Sequence, residues 1–123
     1  MGRAMKIGSI VINCYKFDCM VEFWKSALGY VPREPGTDDW VVLCDPTGSG
    51  PNLSFQAREE PAERKSWLHL DLYTDNQHGE VERLLTLGAS RYPWRYPRDA
   101  DFVVLEDPDG NLFCVVQQTE CSC

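Results

Sequence analysis

The 123 residues carry 19 acidic against 12 basic side chains, a net charge of −7, and are 43% hydrophobic with four tryptophans. That length and apolar content suit one compact domain rather than a disordered tail. The acidic balance, with a pI of about 4.7, argues against nucleic acid, whose phosphates reward a basic surface. No apolar run reaches the roughly 18 residues of a membrane span, and the opening Met-Gly-Arg-Ala-Met-Lys has no signal-type apolar stretch. A cytoplasmic location without membrane partners is therefore expected.

In chain order, Lys6 to Cys14 is rich in Ile and Val and reads as a strand. Asp18 can cap a helix whose apolar residues Met20, Phe23, Trp24 and Ala27 recur at helical spacing, and Gly29 can supply its left-handed stop. Tyr30 to Arg33 suggests a short strand before the Pro35-Gly36 turn. Asp39 to Cys44 and Asn52 to Ala57 form a hairpin across a turn rich in Pro and Gly. Residues 58–66 are charged and nearly devoid of apolar side chains, and read as a linker. Trp67 to Tyr73 is again a strand, and Asp75 can cap a helix carrying Val81, Leu84 and Leu85 to Gly88. Ala89 to about Arg95 suggests a strand. Asp101 to Glu106 and Asn111 to Gln117 pair across Asp107-Pro108-Asp109-Gly110, a sequence that fits a type I turn. Residues 118–123 read as a flexible tail. The six cysteines are expected to be reduced, and Cys121 and Cys123 have no partners at zinc-ribbon spacing.

The chain repeats itself. Trp40-Val-Val-Leu-Cys-Asp-Pro46 returns as Phe102-Val-Val-Leu-Glu-Asp-Pro108, and the helix end Leu28-Gly29 returns as Leu87-Gly88. Each half, about 5–57 and 67–117, therefore reads β-α-β-β-β. Halves of that size bury little alone, so they are expected to complete one another, with a ligand in the groove between them.

Strand alternation sorts the candidate residues. Leu68, Leu70 and Leu72 share one face of their strand, and Trp67, His69, Asp71 and Tyr73 share the other. An imidazole, a carboxylate and a phenol make an awkward sealed core, since each polar group needs a partner, but a natural pocket wall. Elsewhere Ser9 and Asn13 oppose Ile10 and Ile12, and Ser54 and Gln56 oppose Leu53 and Phe55. Trp40 and its repeat mate Phe102 are aromatic anchors. The predicted ligand-lining set is His69, Asp71, Tyr73, Trp40, Phe102, Ser54 and Gln56, suited to an organic ligand with a flat or apolar part. His69 and Asp71, two apart on a strand, are expected about 6–7 Å apart and coupled only through substrate or water. Cys114 reads either as small core filling or as a nucleophile with His69 as base. The run Arg91 to Arg98, with three Arg and three aromatics in eight residues, reads as a clamp for an anionic ligand or as surface packing.

Paired β-α-β-β-β modules, helices closing in Leu-Gly, His69-Leu-Asp-Leu72 and the hairpin Asp107-Pro-Asp-Gly-Asn111 resemble the vicinal oxygen chelate superfamily. This is the group of glyoxalase I, bleomycin-resistance proteins, fosfomycin-resistance enzymes and extradiol dioxygenases, and the likeness is to its glyoxalase-like branch. The resemblance implies an α+β fold, a cupped mixed sheet with helices packed outside, and a homodimer. It also implies metal ligands at Ser9, Ser54, His69 and Cys114. Hydroxyls at two of these positions, and a thiol where metalloenzymes place Glu, give a degenerate set, so no metal cofactor is expected there. The expected function is binding of a small organic molecule without the family's full metal site. The alternatives are a metal-dependent lyase, isomerase or transferase using His69, and a protein that sequesters a bleomycin-type antibiotic.

Overall fold

The computed structural model describes residues 7–61 and 69–118, which fall into two compact units dividing after Pro61. In the first, β1 (Ser9–Cys14) is followed by α1 (Phe17–Leu28), β2 (Val31–Pro32), β3 (Trp40–Cys44) and β4 (Asn52–Ala57). In the second, β5 (Leu70–Thr74) is followed by α2 (Gln77–Leu87), β6 (Ser90–Arg91), β7 (Phe102–Glu106) and β8 (Leu112–Gln117). Each unit holds a mixed four-stranded sheet, in the orders β1-β4-β3-β2 and β5-β8-β7-β6. In both, the first and last strands are parallel and the other pairs antiparallel. The fold is α+β, a β-α-β-β-β module used twice, as the repeat predicts.

Register explains which side chains form each core. Ile12, Phe55 and Val41 line up across β1, β4 and β3, and all three are buried. Helix α1 packs on β4 and buries Met20, Phe23 and Trp24, each such side chain worth about 1.5–3 kcal/mol. In the second unit Phe113 and Val115 of β8 are flanked by Leu70 and Leu72 of β5 and by Leu105 and Val103 of β7. Helix α2 packs on β8 and buries Val81 and Leu84. Gln77 fastens that helix: its backbone N–H donates to Gln117 Oε1, and its amide donates to the carbonyls of Asp101 and Val115, each at 2.9 Å.

The two Asp-Pro turns occupy equivalent places, β3 to β4 and β7 to β8. Asp45 accepts from the N–H and hydroxyl of Thr47 and from Gly50 N–H. Asp107 accepts from the N–H groups of Asp109 and Asn111 and from the Asn111 amide. Gly110 N–H closes the second turn on the Asp107 carbonyl at 2.9 Å, with Gly110 at a φ of 88°.

Several boundaries differ from expectation. Lys16, not Asp18, is the N-cap of α1, without a side-chain cap; Asp18 lies in the first turn, where its charge still favours the helix dipole. Asn76 caps α2 in place of Asp75, accepting from Gly79 N–H at 3.3 Å. The strand expected over Ala89 to Arg95 shrinks to Ser90–Arg91, because Pro93 and Pro97 have no N–H to offer a ladder. The linker beyond Pro61, Trp67, Leu68, the start of the first predicted strand at Lys6, and the tail from residue 119 with Cys121 and Cys123 lie outside the described residues.

Candidate ligand and metal site

On the face of the second sheet opposite Phe113 and Val115, Asp71, Cys114 and Val104 stand side by side across β5, β8 and β7. His69 immediately precedes β5. Alternation holds along the strand: His69, Asp71 and Tyr73 are exposed, while Leu70 and Leu72 are half-buried. Tyr73 is 64% exposed, and Phe102 of β7 lies on the same face, in register with Val116.

The expected separation of His69 and Asp71 is corrected. Nε2 of His69 lies 3.3 Å from Asp71 Oδ1 and 3.2 Å from Cys114 Sγ. The 6–7 Å estimate follows backbone spacing, whereas both side chains are long enough to lean together, and His69 is free of the pleat. Their three donor atoms lie within 4.8 Å of one another, an arrangement that could hold a metal ion. Cys114 is buried, 6% exposed. Loss of hydration pushes its thiol pKa up, and the Asp71 charge adds to the rise. A thiol held protonated is a poor nucleophile.

The first unit carries the equivalent positions with different chemistry. Ser9, Val11 and Ser54 correspond to His69, Asp71 and Cys114, since Val11 pairs with Ser54 as Asp71 pairs with Cys114. The hydroxyls of Ser9 and Ser54 meet at 2.6 Å, over the same 45-residue separation as His69 and Cys114. Ser54 is buried. On the same face Gln56 and Trp40 pair across β4 and β3, both exposed.

Of the Arg91 to Arg98 run, several members are occupied structurally. Arg91 reaches Glu82 at 3.3 Å, and the Tyr96 hydroxyl accepts from Val104 N–H at 2.8 Å while its ring lies 5.4 Å from that of Phe102. An open groove of about 300 Å³ lies in the first unit between α1 and the segment before β3, lined by Phe17, Val21 and Val41 with Asp18 and Glu22. It contains none of the predicted ligand residues, and the sequence pattern gives no sign of it.

Residues 9–116, most of the chain, match the glyoxalase-like domain family. The chain belongs to that family. Glyoxalase-like solved structures share its fold at low identity. A glyoxalase/bleomycin resistance protein/dioxygenase family enzyme from Burkholderia phytofirmans is 16% identical, with a TM-score of 0.73 over 90% of this chain and 97% of that one. A possible glyoxalase from Bacillus cereus is 18% identical, with a TM-score of 0.69 over 92% and 99%. The fosfomycin resistance protein FosX of Listeria monocytogenes, in complex with Mn(II) and dihydroxypropylphosphonic acid, is 11% identical, with a TM-score of 0.73 over 97% and 94%. No protein of curated function matches the sequence. This glyoxalase-like chain is thus a member of the vicinal oxygen chelate superfamily.

The metal that the superfamily implies can be tested against the donors present. Two neutral hydroxyls bonded to each other at 2.6 Å do not fit a divalent cation. His69 and Cys114 fit a borderline or soft one. Asp71, which is none of the four family positions, supplies the carboxylate that the degenerate set lacks.

Proposed function

We propose that this glyoxalase-like protein binds a small organic molecule on the sheet faces turned away from the helices. The observation that carries this reading is the convergence of His69, Asp71 and Cys114 on one sheet face, beside exposed Tyr73. These groups recognise polar atoms of a ligand, and Phe102 stacks against a flat or apolar part. On the first unit the corresponding proposed residues are Trp40, Ser54 and Gln56. The protein acts as a cytoplasmic homodimer, without nucleic-acid or membrane partners; among the described residues no helix is long and apolar enough to cross a membrane.

Native mass spectrometry of protein taken directly from its source cells tests this. The expected result is a bound organic mass that His69→Ala and Tyr73→Phe weaken without lowering the melting temperature. A retained ligand whose affinity ignores both changes moves the site elsewhere, and the Arg91 to Arg98 run becomes the first place to look.

The donor triad also favours a second reading, a metal-dependent lyase, isomerase or transferase in which His69, Asp71 and Cys114 hold the ion. A bound metal there supplies Lewis-acid polarisation of a substrate oxygen. Tyr73, on the same face, is the nearest phenol along the strand to orient that substrate. Sequestration of a cationic, bleomycin-type drug rests only on the acidic surface charge, and a drug-protection assay in expressing cells separates it.

A further inference from the structure

The geometry points to a zinc-class metal site contained within the second module alone, built from His69 Nε2, the Asp71 carboxylate and Cys114 Sγ. It departs from the two-module, four-position site that the superfamily implies, and it stands whether or not an organic ligand binds.

Three features carry the inference. The first is convergence on a single atom. His69 Nε2 is 3.3 Å from a carboxylate oxygen and 3.2 Å from a sulfur. Nε2 carries either a proton or a lone pair, so it can donate to Asp71 or accept from the Cys114 thiol but not both, whereas a divalent cation that displaces the thiol proton satisfies all three atoms together. The second is size. Tetrahedral zinc, with bonds near 2.0–2.3 Å, sets ligand edges of about 3.4 Å for N···O and about 3.6 Å for S···N. The observed 3.3 and 3.2 Å lie within a few tenths of these, and all three donor atoms lie within 4.8 Å of one another.

The third feature is donor chemistry. Imidazole, thiolate and carboxylate are a borderline-to-soft set, which selects zinc or cobalt(II) over magnesium or manganese. Cys114 is buried on β8 while His69 and Asp71 are exposed, so a cation can enter from solvent and anchor on the thiolate. Three protein ligands are also the number found where zinc keeps a place for solvent or substrate. The equivalent positions of the first module carry no comparable donor set: Ser9 and Ser54 bond to each other, and Val11 stands where Asp71 does in the second.

The test uses the full chain purified without a histidine tag, in a Cys121→Ser/Cys123→Ser background that removes the terminal thiols, after chelator treatment. Zinc is titrated against a chromophoric competitor, and cobalt(II) is followed by its thiolate charge-transfer absorption. The expected result is one equivalent bound, with the cobalt band lost in Cys114→Ser. Zinc affinity should fall by more than about tenfold in Asp71→Asn and His69→Ala. Ser9→Ala and Ser54→Ala should change neither reading, and manganese should not compete. Circular dichroism confirms that each variant is folded. Absence of zinc binding, binding indifferent to Asp71→Asn, or binding lost with Ser54→Ala would each overturn the proposal. A failed metal titration leaves the organic-ligand reading open, because the mass-spectrometric assay needs no metal.

Discussion

Cys114 Sγ stands 3.2 Å from His69 Nε2 beside the parallel β5–β8 pair, as Ser54 Oγ stands 2.6 Å from Ser9 Oγ at the β1–β4 pair. One backbone arrangement thus brings together a titratable pair in one half and a neutral pair in the other.

The reactivity of Cys114 follows from its surroundings. Burial, with a smaller addition from Asp71, holds its pKa above the ordinary thiol value. At neutral pH, iodoacetamide should label exposed Cys19 well before Cys114. The Cys114 rate should climb as pH rises, and Asp71→Asn should speed it modestly at a given pH. Peptide mapping by mass spectrometry checks this. Labelling of Cys114 as fast as Cys19 at pH 7 would show that the thiol is not held protonated.

Asp45 gives a pH dependence of known sign. Its carboxyl is held below the ordinary 3.8, first by the Thr47 hydroxyl and then by Thr47 N–H. A depressed folded-state value means that its contribution to stability is present above the unfolded value. That contribution is lost as pH falls through the folded one, a window lying below 3.8. A carbon-detected NMR titration should place the Asp45 midpoint under that value, and Thr47→Ala should move it back up. An unmoved midpoint in Thr47→Ala contradicts the assignment of cause.

Asp107 should matter more than its repeat mate. It is 5% exposed and accepts from two backbone N–H groups and one amide. Asp107→Ala leaves those donors without that acceptor and should cost about 1–3 kcal/mol in urea unfolding. Asp45→Ala, at a more open turn, should cost less. Equal costs would mean that burial does not separate the two turns.

Core truncations should rank by burial. Leu105 is fully buried, and Leu105→Ala should cost about 2–5 kcal/mol. Leu70 is only half-buried, so Leu70→Ala should fall below that variant in the same measurement. Tyr73→Phe should stay within about 0.5 kcal/mol of the parent. Leu70 and Leu105 flank Phe113 on the same face, so a Leu70→Ala loss exceeding that of Leu105→Ala would show that burial does not rank the side chains of this core.

The architecture was legible because the signals repeat. Val-Val-Leu-x-Asp-Pro marks β3 and β7 with their turns, and Leu-Gly marks both helix ends. What stayed hidden depended on side-chain reach and local competition. Alternation put His69, Asp71 and Tyr73 on one face, and the structure keeps them there with Leu70 and Leu72 opposite. It could not show that His69 and Asp71 close to 3.3 Å, since a period of two fixes direction and not how far an imidazole leans. The cap of α2 was misplaced by one residue because Asp75 and Asn76 are both good caps. Gln77, which fastens α2 to β8, left no trace in the pattern, as a lone Gln is usually a surface residue.

The Ser9–Ser54 bond makes the first module an internal blank for the second. Both copies present the same three addresses on the same strands, and only the side chains at those addresses differ. Chemistry can therefore be moved between the halves without touching the scaffold. Ser9→His, Val11→Asp and Ser54→Cys together should raise the zinc count by one, and His69→Ser, Asp71→Val and Cys114→Ser should abolish it. The protein thus carries one backbone arrangement twice, with His69, Asp71 and Cys114 at three positions in one half and Ser9, Val11 and Ser54 in the other.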